Sequence, residues 1–304
     1  MPGCDTRSSS DPSPYLVNHV DGSPKRIPDI ASIADQFDAF LVDVWGVLHD
    51  GGTAYPGAVD CLRQLRAAGK AIVIFSNAAR RCDAIAAEAA AHGIDSGLYD
   101  HIVSSGELVW RKLAQGNHGY GRRCFWLGPA RSRTLLRDLD LEIVDMLERS
   151  DFILNAGARG NLPDASSFHP LLERAARLGL PMLCANPDRV AIRKGIMGIS
   201  AGAIARDYAE SGGTVEMLGK PRAAMYEAAR TLPGIGSTTR LLAVGDGLET
   251  DIRGARDAGI RSVFVTGGIH REEIERARGS LHDVCARYGI FPDYASPRFR
   301  WRTT

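Results

Sequence analysis

Short apolar runs alternate with helical stretches along most of the chain, and this alternation constrains the fold more than any other feature. Ala39-Phe40-Leu41-Val42 and Ala71-Ile72-Val73-Ile74-Phe75 contain no polar residue. A strand with one wet face alternates polar and apolar residues; an unbroken run reads as a strand covered on both faces, the hallmark of a parallel sheet. Strand-like runs recur at 101–104, 123–127, 151–155, 181–185, 214–218, 240–244 and 261–265. Between them, 57–68 carries Ala58, Cys61, Leu62 and Leu65 at helical spacing and stops at Gly69, and 80–91 is Ala-rich. The expected class is α/β, a Rossmann-like, doubly wound parallel sheet. With 304 residues, the chain is long enough for about two domains. Residues 1–25 are rich in Ser, Pro, Asp and Gly and read as a mobile tail. Residues 280–304 begin helical and turn Arg- and Pro-rich, which reads as irregular packing.

Charge and cysteine usage narrow the function. Lys and Arg number 37 and Asp and Glu 36, so no field exists to recruit nucleic acid or an anionic membrane as the main partner. The six cysteines form no C-x-x-C pair and no zinc-like cluster. No apolar run approaches a membrane span, and the polar N-terminus has no secretory core. These features point to the cytoplasm.

In open α/β sheets, function gathers past the carboxyl ends of strands. The residues there are Asp43, Ser76-Asn77, Gly219-Lys220-Pro221 and Gly245-Asp246-Gly247, with Asp251 five residues beyond Asp246. If these strands lie side by side, three carboxylates meet and repel one another. A divalent cation with oxygen ligands resolves that, and Mg²⁺ typically combines one or two carboxylates with water and phosphate oxygens. A Lys, a Ser hydroxyl and nearby backbone N–H groups suit the remaining phosphate oxygens. A carboxylate facing the phosphorus can attack it. Each piece alone has an ordinary reading: a helix cap, a turn, a surface lysine. The ordered set of four at strand ends does not.

From about Phe40 to Gly268 the chain resembles the haloacid dehalogenase (HAD) superfamily, specifically the class IIA group of N-acetylglucosamine-operon and pyridoxal phosphatases. The resemblance is carried by Leu41-Val42-Asp43-Val44-Trp45-Gly46, Phe75-Ser76-Asn77, Leu218-Gly219-Lys220-Pro221 and Val244-Gly245-Asp246-Gly247-Leu248-Glu249-Thr250-Asp251, together with Ala185-Asn186-Pro187-Asp188 and the insert between the second and third motifs. It implies a discontinuous core, 26–82 and 189–304, and an α/β cap of the class IIA type at 83–188. It implies Asp43 as nucleophile and metal ligand, Asp246 on Mg²⁺, and Asp251 on the metal's waters. Ser76, Asn77 and Lys220 would hold the phosphoryl group, and Lys220 would orient Asp43. The cap would restrict access, so small phosphorylated metabolites are the expected substrates, a sugar phosphate among them. Asn186 and Asp188, at the return from the cap, are candidates for touching substrate. Self-association as a homodimer through the cap is left open.

The sequence departs from the family at one position. Family phosphatases carry Asp-x-Asp-Gly in the first motif, and the second Asp is the general acid and base. Here the second position is Trp45, whose indole cannot give or take that proton. The resemblance still assigns its backbone carbonyl to the metal. General acid–base help is worth about 10²–10⁴-fold, so three readings stand: a phosphatase using a good leaving group or another acid, with His49 and Asp50 the candidates; a catalytically weak protein that binds a phosphorylated ligand; and a hydrolase of another bond, such as carbon–halogen. The Arg-rich cap stretch, with Arg111, Arg122, Arg123, Arg131 and Arg133, reads as an exposed face.

Overall fold

The computed structural model describes residues 23–160, 162–193 and 196–302. Most of the tail expected at 1–25 lies outside them; its last residue, Lys25, begins a strand. The strands are β1 (Lys25–Arg26), β2 (Ala39–Val42), β3 (Ala71–Ser76), β4 (His101–Ser104), β5 (Arg123–Leu127), β6 (Glu142–Val144), β7 (Phe152–Asn155), β8 (Met182–Cys184), β9 (Val190–Arg193), β10 (Ile196–Ile199), β11 (Val215–Met217), β12 (Leu241–Gly245), β13 (Arg261–Val265) and β14 (Tyr294–Ser296).

A seven-stranded sheet has the order β1-β14-β13-β12-β2-β3-β4, and every pairing in it is parallel. The chain winds outward from β2 through β3 to β4, then restarts at β12 on the other side of β2 and winds outward again. The β2/β12 seam is therefore the switch point at which such folds bind ligands. Both faces of this sheet are covered, which explains the unbroken apolar strands. Phe40, Val42, Ile72 and Ile74 face one apolar cluster, with the helix Ala58–Ala67 against them. Leu41, Val73, Phe75 and Ala243 face the other, against the helix Ala223–Arg230.

A second parallel sheet, of order β11-β8-β7-β5-β6, forms the cap, and β9 and β10 make a separate antiparallel hairpin. These pairings move both expected cap boundaries. β4 pairs with β3, so the chain is still in the core sheet at Ser104. The helix Ser105–Ala114 then packs Val109 and Leu113 against cap residues Trp126, Phe152 and Leu154. At the other end β11 pairs with β8 inside the cap sheet. The cap thus runs from Ser105 to Met217 instead of over 83–188. Strand membership is a long-range choice, and nothing local in 101–104 or 215–217 encodes it. The C-terminal expectation is also corrected: β14 extends the core sheet between β13 and β1.

Candidate active site

Register brings the site together. Val42 lies opposite Val244 on one side and Ile74 on the other. Asp43, the next residue, therefore leaves β2 level with the ends of β12 and β3. The ends of the neighbouring strands supply the rest: Ser76 closes β3 and Asn77 follows it, and Gly245 closes β12 before Asp246-Gly247. Asp251 returns on the wide helical turn Leu248–Ile252, where its Oδ2 accepts the Gly247 N–H at 3.1 Å.

Lys220 arrives from the cap side and is 1% exposed. Its Nζ donates to Asp43 Oδ1 at 2.6 Å, Asp251 Oδ1 at 2.7 Å and Phe75 O at 2.8 Å. Asn77 fixes this lysine: its Oδ1 accepts the Lys220 N–H at 2.7 Å, and its Nδ2 donates to Lys220 O at 3.1 Å and Asp188 Oδ1 at 2.7 Å. Asn186 in turn holds Asp188, accepting its N–H at 2.8 Å. Ser76 is buried and accepts the Ala78 N–H at 3.1 Å.

The electrostatics are set by three buried carboxylates that share the site with one ammonium. Carboxylate oxygens of Asp43, Asp246 and Asp251 lie within 4.8 Å of one another, all buried. Burial pushes the Asp43 carboxyl up to about 7, against the pull of Lys220, and the Asp251 charge adds to the rise. Asp246 is raised well above the carboxylate range by burial and by the charges of Asp43 and Asp251. Asp188, partly open to the cavity, is raised to about 6 by desolvation, with Lys220 opposing. For Lys220, burial alone would lower the ammonium, but Asp251, Asp43 and Asp188 outweigh it and hold its pKa above the ordinary range. One lysine cannot offset three buried carboxylates. Oxygen-only ligands clustered this tightly fit a hard divalent cation such as Mg²⁺ or Ca²⁺. Glycines make room for Asp246: a Cβ on Gly46 (φ +81°) would lie 1.8 Å from its Oδ2, and one on Gly268 2.0 Å. The Ile269 N–H donates to the same oxygen at 2.9 Å.

One cavity is lined by Asp43, Trp45, Ser76, Asn77, Lys220, Asp246 and Asp251, and also by Asn186 and Asp188. His49 does not line it. Its ring is fully buried behind Trp45, with ring centroids 5.2 Å apart, and stacks on His92 at 4.3 Å. Its Nδ1 accepts the Gly51 N–H at 2.9 Å, and burial depresses its pKa to about 4. A stand-in acid is thus not found at His49. Asp50 also misses the cavity, and its Oδ1 accepts the N–H groups of Gly52 and Thr53 in a turn. Sequence reading missed Arg80, Ser132 and Thr250 in the cavity wall, and Arg131, expected on an exposed Arg face, lines it too. Both arginines follow strand ends, Arg80 four residues beyond β3 and Arg131 four beyond β5, so the rule that found Ser76 extends to them.

A haloacid dehalogenase-like hydrolase family pattern matches residues 40–142, and a HAD-hydrolase-like pattern matches 217–288. These segments carry the two halves of the acid–lysine cluster. Human chronophin is 30% identical over 266 residues, 82% of this chain and 88% of chronophin. The chain belongs to the haloacid dehalogenase-like hydrolases. A solved hydrolase of the same family from Brucella suis superposes with a TM-score of 0.77 at 30% identity, covering 91% of this HAD hydrolase and 99% of that chain. The D-glycerol 3-phosphate phosphatase of Mycobacterium tuberculosis is 28% identical over 243 residues, 79% of this chain; the match spans 65% of that relative's length, just under two thirds. A structure of the glycerol phosphate phosphatase from that organism in complex with magnesium matches at 26% identity and a TM-score of 0.60, over 78% of this chain and 70% of that one. Among the described residues, no helix is long and apolar enough to cross a membrane.

Proposed function

We propose that this HAD hydrolase is a Mg²⁺-dependent phosphomonoesterase for small phosphorylated metabolites, working through an aspartyl-phosphate on Asp43. The single observation that carries the reading is Lys220 Nζ bonded to both Asp43 and Asp251 in a cavity shared with Ser76, Asn77 and Asp246. Asp43, Asp246 and Asp251, with the Trp45 carbonyl, would hold the cation, which when bound offsets the carboxylate charge and draws charge off the phosphoryl oxygens. Ser76, the Asn77 backbone and Lys220 bind those oxygens and orient the phosphorus. An Asp43 oxygen attacks it, and the bond to the substrate oxygen breaks with its electron pair on the leaving alcohol. Water supplies that alcohol's proton, because Trp45 has none to give. A second water then attacks the phosphorus, releasing inorganic phosphate and restoring the Asp43 carboxylate. The cap over the site favours metabolites over phosphoproteins.

Asp43→Asn tests the reading. It should abolish hydrolysis of p-nitrophenyl phosphate while leaving the circular dichroism spectrum unchanged. A variant retaining the wild-type rate refutes the phospho-aspartate route. Trp45 supports a second reading, in which the protein binds a phosphorylated ligand and turns it over slowly. Tight ligand binding with no turnover on a phosphorylated-metabolite panel would favour it.

A further inference from the structure

The chemistry above uses neither of the two arginines that line the cavity. Arg80 belongs to the core, on the loop after β3. Arg131 belongs to the cap, on the tight turn Ala130–Leu136 that follows β5.

Arg80 is built into its place. Its N–H donates to Ala78 O at 2.8 Å, and Ser104 Oγ donates to its carbonyl at 2.8 Å. The helix Ser105–Ala114 approaches so closely that a Cβ on Gly106 would lie 2.2 Å from Arg80 N. The Arg80 side chain is 10% exposed and forms an ion pair with Glu88. Arg131 is exposed, next to the buried Ser132. Although much of its side chain meets solvent, partial desolvation and then the Arg80 charge lower its pKa, so the two guanidinium fields overlap. The Glu88 field reaches Arg131 but its ion pair is with Arg80. Among the described ion pairs, none engages Arg131. Two guanidinium groups and one carboxylate leave this trio with net positive charge, apart from the acid cluster that lines the same cavity.

A bare phosphoryl group does not need this charge, because Lys220, Ser76, Asn77 and the cation already serve it. Planar guanidinium groups suit a carboxylate or a second phosphate, which they bind through paired N–H donors. The wall that carries both the arginines and the acid cluster also includes Ala156 and β9 residues Val190, Ala191 and Ile192, apolar surface suited to a short carbon chain.

We infer that Arg80 and Arg131 form a subsite for a second anionic group, so that the preferred substrates are small phosphomonoesters with a carboxylate or another phosphate on the leaving-group side. This rests on the phosphatase reading and names its substrate class. One arm comes from the core and one from the cap, so the anionic tail binds both halves of the closed site.

The test separates binding from turnover. With Mg²⁺ present, the wild type is titrated calorimetrically with 3-phosphonopropionate, propane-1,3-bisphosphonate and the neutral-tailed propylphosphonate. At least one anionic tail should bind about tenfold tighter than the neutral one, the scale of a charge-assisted contact. The tighter of the two names the group, carboxylate or phosphate. Arg131→Gln should remove the advantage and Arg131→Lys should keep part of it. Equal affinities in the wild type, or an advantage that survives Arg131→Gln, would overturn the subsite. Hydrolysis of p-nitrophenyl phosphate is measured alongside. Tail-dependent binding without that turnover would uphold the subsite and overturn the phosphatase reading. Turnover without tail preference would overturn the subsite alone.

Discussion

His49 should make the protein acid-sensitive, by an amount that the local geometry sets. Its Nδ1 accepts the Gly51 N–H, so the neutral ring carries its proton on Nε2, which is buried with no hydrogen-bond partner among the described residues. Charging the ring would put a second N–H against the Gly51 donor. Desolvation is the main cause of the fall from 6.5 to about 4; His92 and Arg80 add to it, and Glu88 and Asp50 oppose it. Between those two values the unfolded chain binds a proton that the folded protein refuses. Stability is therefore complete above the unfolded pKa and is lost as pH falls toward the folded one. The full shift corresponds to about 3 kcal/mol, of which about 2 kcal/mol is gone at pH 5. Asp43 and Asp188, raised in the fold, act in the opposite direction over the same range. The comparison is therefore with His49→Gln, which keeps an acceptor for the Gly51 N–H and cannot titrate. Urea unfolding of both proteins at pH 7 and pH 5, in saturating Mg²⁺, should show the wild type losing about 2 kcal/mol more than the variant. Parallel losses would refute the account. Because the ring faces away from the cavity, the pH–rate profile should be the same in both.

Further outcomes bear on the catalytic machinery. Asp246→Asn should weaken Mg²⁺ binding in calorimetry, and equal affinity in both proteins would remove the carboxylate cluster as the metal site. Trp45→Asp should raise turnover of alkyl phosphates more than of aryl phosphates, because a poor leaving group gains most from a proton; the wild type should show a burst of aryl product before slow turnover. Halide release from a 2-haloacid by the wild type would instead move the reaction to carbon–halogen hydrolysis. Gly46→Ala meets both a left-handed backbone, at about 1–2 kcal/mol, and the Asp246 carboxylate; kcat/KM should fall while the protein still folds, and wild-type kinetics would contradict the close packing.

Strand ends were the legible part of this protein. Asp43, Ser76, Asn77 and Asp246 close or follow a strand, Lys220 and Asp251 come a few residues later, and a doubly wound sheet converts that local sign into shared space. His49 was illegible for the same reason. It lies six residues past Asp43, but the chain reverses at Gly46 and folds the ring under Trp45, a turn no periodicity announces. The cap boundaries were illegible because nothing in β4 or β11 encodes which distant strand each joins, β3 of the core for one and β8 of the cap for the other. Strand β6 (Glu142–Val144) opens on a charged residue and has only two apolar ones, too little to mark it. Arg131 shows a limit of composition: in a chain with many arginines, one that lines the cavity has no sequence mark of its own.

The pairing of β2 with β12 joins Ala39 to Leu241, and this orders events during synthesis. At 5–20 residues per second, about 10–40 s separate the appearance of those two strands. Through that interval the middle of the core sheet has one open edge, and Asp43 has neither its lysine nor its neighbouring acids. The cap, continuous from Ser105 to Met217, carries all five of its strands in one stretch and can close its own sheet while the core still waits. The nascent chain therefore holds a finished cap above an unfinished catalytic floor, and it acquires its chemistry only when its last third has emerged.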